Sequence, residues 1–299
     1  MKKLVLEDFK FEKYHGLGND YVVVNDIEWN IPEEKKADLA EKLCEWHFSV
    51  GADGLIYVCE ADPAKDADIQ MRIFNLDGTE AEMCGNGIRC FSKYVYEHGI
   101  VPKEEMEIET LKGIISAKLR FDEEKDGIVE QVKIDMGRPI LKCDKIPVVP
   151  DHNELKCINE SIVAVDKVFN FSAVSMGNPH CVIFVKQQLD DGNLNKYGAV
   201  LESHERFPNK TNVEFVKVLS ESECILRVFE RGVGITNSCG TGSFASVVAG
   251  VILGKFKDNT PVTVHNDGGD LIITHPGERL FMEGPVEKSF KGTIEELEF

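Results

Sequence analysis

Two cysteines stand where the pattern of the chain predicts a helix to begin. Residues 226–255, LRVFERGVGITNSCGTGSFASVVAGVILGK, read as a strand over 226–229, a glycine-punctuated loop, and an apolar helix starting at or just after Cys239. Residues 71–99, MRIFNLDGTEAEMCGNGIRCFSKYVYEHG, repeat the plan, with Arg72 twelve residues before Cys84 as Arg227 is twelve before Cys239. The thiolate is the reactive form of cysteine, and a helix N-terminus lowers the thiol pKa by a unit or more from about 8.5. Each Cys-Gly-x-Gly also leaves the first helical N–H groups open to an anion such as a carboxylate, with glycine permitting close approach. A single cysteine in an apolar helix is ordinarily a core residue. A pair in duplicated context reads differently, because two thiols flanking one carbon remove a proton from one face and return one to the other, inverting a stereocentre. An α-proton beside a carboxylate is very weakly acidic, so the N–H groups of two helix termini would supply the preorganised stabilisation such chemistry needs. On that reading neither a metal nor a pyridoxal cofactor is required.

The elements that must hold these cysteines are duplicated as well. Gly18-Asn19-Asp20 precedes the strand-like Tyr21-Val22-Val23-Val24, and Gly177-Asn178-Pro179 precedes His180-Cys181-Val182-Ile183-Phe184, so each half runs GN, strand, Cys-Gly-x-Gly, helix. Repetition at this long period predicts two similar domains rather than a solenoid. If the halves face each other through a pseudo-twofold, both helix starts point into one cleft. A length of 299 residues with 42% hydrophobic content suffices for two cores. The expected division is residues 1–128 plus 282–299 against 129–281, with the boundary near the charged turn 122–126.

A net charge of −18 and a pI near 4.9 argue against nucleic acid or an anionic membrane as partner. No apolar run is long enough to span a bilayer and the charged N-terminus interrupts any signal-peptide core, which predicts a cytoplasmic protein. Nine cysteines, an odd number with no CxxC, predict reduced thiols and no structural zinc. Neither GxGxxG after a strand nor GxxxxGK[ST] occurs, so nothing proposes a dinucleotide or a nucleoside triphosphate. Along the chain, residues 9–25 read as strand, turn, strand; 32–48 as an amphipathic helix; 55–59, 104–121 and 127–136 as strands. In the second half, 145–149, 163–170, 178–185, 212–218, 223–229, 260–264, 270–274 and 279–282 read as strands. The outcome is an α/β (α+β) chain with many strands and one long helix per domain.

Six segments together resemble the diaminopimelate epimerase family: KYHGLGNDYVVV (13–24), GADG (51–54), RIFNLDGTEAEMCGNGIRC (72–90), VSMGNPHCV (174–182), NVEFV (212–216) and ERGVGITNSCGTG (230–242). The resemblance covers essentially the whole chain. It implies two pseudo-symmetric domains, each a strongly curved mixed sheet around a central helix, with the last strand returning to the N-terminal domain. It implies a cofactor-independent isomerase of the lysine pathway that exchanges LL- and meso-diaminopimelate, working as a homodimer. Carried over residue by residue, Cys84 and Cys239 are the acid/base pair, with His180 and Glu230 beside them adjusting protonation and meeting the substrate amino group. Gly85-Asn86 and Gly240-Thr241 hold the reacting carboxylate, Asn75, Asn212 and Arg231 bind the distal amino acid end, and Asn19 and Asn178 line the pocket. Two positions depart from the pattern: Ile235 stands where the family commonly has Glu in GxGET, and Gly54 where some members have Gln.

Related readings are distinguishable by residue. Proline racemases resemble CGHG at the first cysteine, where this chain has Asn86. Phenazine-type isomerases lack the cysteine pair. Racemases of histidine or other amino acids in the superfamily have no use for Arg231 with Asn75 and Asn212, since a distal carboxylate is what needs a cation and fork-like donors. A thiol-redox or binding protein would have reactive cysteines without inversion.

Overall fold

The computed structural model describes residues 4–151, 155–275, 277 and 279–299. In chain order the elements are β1 (Val5–Gly16), β2 (Asn19–Asn25), α1 (Asp26–Trp29), α2 (Lys36–Cys44), β3 (Gly54–Cys59), β4 (Ile69–Asn75), β5 (Glu80–Ala81), α3 (Gly85–Glu97), β6 (Glu105–Thr110), β7 (Gly113–Phe121) and β8 (Val129–Gly137). Then follow β9 (Glu160–Ala164), β10 (Lys167–Ser175), β11 (Pro179–Phe184), α4 (Asp191–Glu202), β12 (Asn212–Ser220), β13 (Glu223–Glu230), β14 (Gly234–Thr236), α5 (Gly240–Ile252), β15 (Val262–Asn266), β16 (Gly269–Thr274), β17 (Leu280–Pro285) and β18 (Glu287–Glu298).

These elements form two compact units, one of Met1–Ile134 with Gly284–Phe299 and one of Asp135–Glu283. The chain passes from the first to the second inside β8 and returns inside β17, not at the charged turn 122–126, because the strand after that turn continues to Gly137 without a break.

Within the first unit, β18 pairs antiparallel with β1, β1 antiparallel with β2, β2 parallel with β3, β3 antiparallel with β4, β4 parallel with β6, and β6 antiparallel with β7. The second unit repeats this order: β9, β10, β11, β12, β13, β15 and β16 pair successively as antiparallel, antiparallel, parallel, antiparallel, parallel, antiparallel. The short strands, β5 on β4 and β14 on β13, both antiparallel, match as well. Helix α3 packs against β1, β2, β3, β4 and β7, and α5 against the corresponding β10, β11, β12, β13 and β16. The sequence duplication is therefore a duplication of topology, in which each unit wraps a sheet around one helix.

A helix enclosed on all sides must be apolar around its whole circumference or satisfy its polar groups internally. Helix α5 takes the first route: Phe244, Ala245, Val247, Val248 and Ala249 are buried, and Ser246 donates to Gly242 O at 2.7 Å. Helix α3 takes the second at two places, with Lys93 donating to Glu97 at 2.8 Å and Arg89 Nε to Pro285 O at 3.1 Å. The last glycine of each Cys-Gly-x-Gly is fixed by this enclosure. A Cβ on Gly87 would sit 3.0 Å from Ile73 Cδ1, and one on Gly242 would sit 2.8 Å from Glu214 Oε1.

Several sequence-based expectations change. Residues 145–149 are not a strand: Cys143–Lys145 is a 3-10 turn, and Pro147 and Pro150 remove the N–H groups a ladder would need. The single strand expected at 163–170 is a hairpin, because Val165 takes the left-handed conformation (φ 55°) and Ala164 pairs with Lys167. The helix expected over 32–48 begins as a 3-10 turn at Glu33–Lys35 and ends at Cys44. Helix α4 was not expected, since two glycines and two asparagines obscure its period; its cap, Asp190 accepting from Asn193 N, was the available signal.

Candidate active site

In the first unit, the turn Leu17-Gly18 (φ 60° and 85°) joins β1 to β2 as a two-residue hairpin and delivers Asn19 and Tyr21 to the start of α3. Cys84 is the N-cap of α3 in extended conformation, half-buried. Its Sγ lies 3.0 Å from Tyr21 Oη and 3.8 Å from Asn19 Oδ1. Tyr21 Oη also donates to Asn19 Oδ1 at 2.5 Å, and Asn86 Nδ2 donates to the same oxygen at 3.2 Å. Asp53 Oδ2 accepts from Asn19 Nδ2 at 2.6 Å and from Asp20 N at 3.0 Å, so a carboxylate fixes the direction of the Asn19 amide. Burial, and then the neighbouring Cys84, push the Tyr21 phenol well above its ordinary value, so its proton stays available between Asn19 and Cys84. Gly85 follows the thiol, and the buried Asn86 Oδ1 has no hydrogen-bond partner among the described residues.

In the second unit, Cys239 is the N-cap of α5, buried, and accepts from Gly242 N at 3.4 Å with Thr241 Oγ1 at 3.5 Å. Asn178 Nδ2 donates to Thr241 Oγ1 at 3.3 Å, and its Oδ1 lies 3.0 Å from His180 Nε2. The other ring nitrogen, His180 Nδ1, is 2.7 Å from Glu214 Oε1, and neither side chain is exposed. Glu230 closes β13 and accepts from Thr236 Oγ1 at 2.5 Å. Burial is the main reason its carboxyl is raised; the Thr236 hydrogen bond opposes this, and Cys239 is also one of its hydrogen-bonding neighbours.

The thiol itself departs from the expectation for a helix N-terminus. Burial first, then Glu230 and Glu214, push Cys239 well above the usual thiol value, and the contacts from Thr241 and Gly242 N–H only partly offset this. Cys239 therefore rests as a neutral thiol at neutral pH. Since only the thiolate is nucleophilic, alkylation of Cys239 by iodoacetamide is expected to run at least about tenfold slower than free cysteine near pH 7.5 and to accelerate only above pH 9. Peptide mass spectrometry across a pH series reads this; labelling of Cys239 at the free-cysteine rate at neutral pH would contradict it.

The remaining candidates separate into two kinds. Asn212 is buried with both ends of its amide used, Nδ2 donating to Pro179 O at 2.9 Å and Oδ1 accepting from Arg231 N at 3.0 Å. Asn75 and Arg231 are exposed; Asn75 donates to Thr79 Oγ1 at 2.9 Å and Arg231 Nη1 to Asn209 O at 3.3 Å. Ile235, the departure near the second cysteine, pairs with Phe229 across the β13–β14 ladder, one residue before the Thr236 that holds Glu230. Gly54 has no room for a longer residue as the backbone stands, since a Cβ there would lie 2.6 Å from Phe74 O. The repeated arginines are structural: Arg72 bridges Glu33 and Glu80, and Arg227 bridges Asp191 and Asp267.

Sequence reasoning missed two groups. Tyr21 holds in Gly18-Asn19-Asp20-Tyr21 the place His180 holds in Gly177-Asn178-Pro179-His180, and aligning the two halves residue by residue would have found it. Glu214 was signalled only as the acidic residue within NVEFV, a segment that is buried throughout.

The sequence model described as diaminopimelate epimerase matches residues 11–142 and 172–289. The chain belongs to the diaminopimelate epimerase family. Diaminopimelate epimerases of Bacillus cytotoxicus and Bacillus cereus (strain ATCC 14579) are each 45% identical over 291 residues, covering 97% of this chain and 98% of theirs. Among solved structures, the fold is shared with a hydroxyproline epimerase from Agrobacterium vitis (TM-score 0.68, 15% identity, 97% of this chain and 92% of that one). It is shared also with a Bacillus anthracis phenazine biosynthesis protein of the PhzF family (TM-score 0.65, 17% identity, 98% and 99%). The family's two-unit α/β fold is thus the one built here, and none of the described helices is long and apolar enough to cross a membrane.

Proposed function

We propose that this member of the diaminopimelate epimerase family interconverts LL- and meso-diaminopimelate, with Cys84 and Cys239 as the two proton carriers. The observation that carries the reading is the duplicated placement of one cysteine at the N-cap of the enclosed helix of each unit. One thiolate takes the α-proton and the other thiol delivers one to the opposite face, so the configuration at that carbon inverts and the two sulfurs exchange protonation states. The first-turn N–H groups at Gly85-Asn86 and Gly240-Thr241 receive the reacting carboxylate, whose charge grows as the α-proton leaves. Glu230 adjusts the protonation of the second thiol directly and His180 through Glu214, and both meet the substrate amino group. Asn19 and Asn178 orient the groups around each cysteine, and Arg231 with Asn75 and Asn212 holds the distal amino acid end. These roles call on the chain's own groups and on no cofactor or metal. Family resemblance further implies a cytoplasmic homodimer, which light scattering at working concentration tests.

The direct test is incubation of the purified chain with LL-diaminopimelate in D2O. The expected result is formation of the meso isomer with one deuterium at the inverted α-carbon. Isomerisation without deuterium, or no isomerisation beside full turnover of histidine or proline, would overturn the proposal.

A further inference from the structure

We propose that Glu214 and His180 act as a single unit holding one shared proton beside Cys239, with Glu214 a positioning residue for the second thiol. The inference rests on the two-cysteine reading above. Its strongest support is the comparison between the two units. In the parallel pair β2–β3, Tyr21 stands opposite Gly54; in β11–β12, His180 stands opposite Asn212. Two residues further along lie Ile56 and Glu214, and both pack under the last glycine of their Cys-Gly-x-Gly. A Cβ on Gly87 would be 3.4 Å from Ile56 Cδ1, and one on Gly242 would be 2.8 Å from Glu214 Oε1. Isoleucine therefore fills this place adequately in one unit. A carboxyl in the same place of the other is costly to desolvate, so packing does not account for it.

The hydrogen bonds specify what it does. Asn178 turns its amide nitrogen to Thr241 Oγ1 (3.3 Å), which leaves its oxygen to accept from His180 Nε2 (3.0 Å). Nε2 thus carries a proton, and a second proton is shared between Nδ1 and Glu214 Oε1, 2.7 Å apart. Whether that proton lies on oxygen or on nitrogen, the pair is neutral. Without it the pair would leave a buried negative charge next to Cys239. Burial raises the Glu214 carboxyl, with His180 opposing, which favours retaining the proton. The titratable groups around Glu214 are His180 and Cys181 on β11, Glu230 on β13 and Cys239 at the start of α5. His180 is the one group among them able to carry positive charge. Glu214 Oε2 is buried with no partner among the described residues, and beyond its own backbone N–H the carboxyl has His180 as its side-chain hydrogen-bond partner. The shared proton moves between Oε1 and Nδ1 as Cys239 alternates between thiol and thiolate, and the charge felt by that sulfur is set by the pair.

Two substitutions test this. E214Q keeps the shape and still donates to Nδ1, but cannot bear negative charge. Its Cys239 alkylation curve is expected to shift to lower pH, and kcat to fall about tenfold with KM little changed. E214I, the residue type the first unit uses, is expected to keep the fold by circular dichroism while kcat falls at least as far. Imidazole 15N NMR of His180 is expected to show exchange broadening at Nδ1 in wild type and a fixed neutral ring in E214Q. The alkylation and NMR measurements need no substrate, so a wrong substrate assignment leaves them intact. An E214Q protein whose alkylation curve and His180 signals match wild type would overturn the proposal, whether or not E214I folds.

Discussion

Replacement of either Cys84 or Cys239 by alanine is expected to lower diaminopimelate epimerisation by at least about a thousandfold, with the fold unchanged. General acid or base catalysis by one placed group contributes about a hundred- to ten-thousandfold. Here the loss sits at the upper end, because inversion needs a base on one face and an acid on the other in the same turnover. Groups acting as a unit are strongly non-additive, so the double variant should be little worse than either single one. Loss of one sulfur is structurally mild at both positions: the backbone at each N-cap is extended and requires no special residue, and only Cys239 is deeply buried. Turnover, circular dichroism and urea unfolding on the three variants make the measurement. Retention of epimerisation by either single variant would end the two-base scheme, and a double variant far below both singles would show that the thiols act independently.

Arg231→Ala is expected to lower kcat/KM for LL-diaminopimelate by tens to thousands of fold. A substrate with two amino acid ends presents one carboxylate to the helix termini and another to the far anchor. Arg231 is exposed in the free chain, so the cost depends on the bound substrate covering the pair; truncating one partner of a charge pair buried in that way costs about 2 to 5 kcal/mol. Arg231 is exposed at the end of β13, where Asn212 fixes its backbone N–H at 3.0 Å and Asn209 O takes one guanidinium nitrogen at 3.3 Å. A guanidinium has five N–H donors, so a planar fork remains for a carboxylate. Lysine should restore only part of the rate because it lacks that fork. Histidine or proline carries no distal carboxylate, so monoamino acids assayed in parallel should be indifferent to the change. If diaminopimelate turnover is equally indifferent, or wild type prefers any monoamino acid, the substrate assignment falls and the two-cysteine chemistry stands without it.

The sequence carried a great deal of this because duplication writes each local device twice. A cysteine followed by two glycines at the head of an apolar stretch is a local signal, and the N-cap placement of Cys84 and Cys239 needed only the switch from alternating to helical periodicity. The paired strands were legible for the same reason, except where prolines or a left-handed residue broke a β-branched run, as at 145–149 and at Val165. Helix α4 escaped because glycine and asparagine dilute an apolar period that tertiary packing on β13 and β14 nevertheless enforces.

What sequence alone settled was the family, the repeated topology and the placement of one cysteine at the head of each enclosed helix, all of which depend on residue type and spacing along the chain. Only the tertiary structure decided their surroundings. The helix N-terminus predicted a lowered thiol at Cys239, yet strands distant in sequence bring Glu214 and Glu230 to it and exclude water, and burial among carboxyls outweighs the helix N–H groups. It likewise set Tyr21 against Cys84 and His180 against Glu214. Proton affinity is set by desolvation and by charges a few ångströms away through space, and no pattern of spacing along one strand contains those distances.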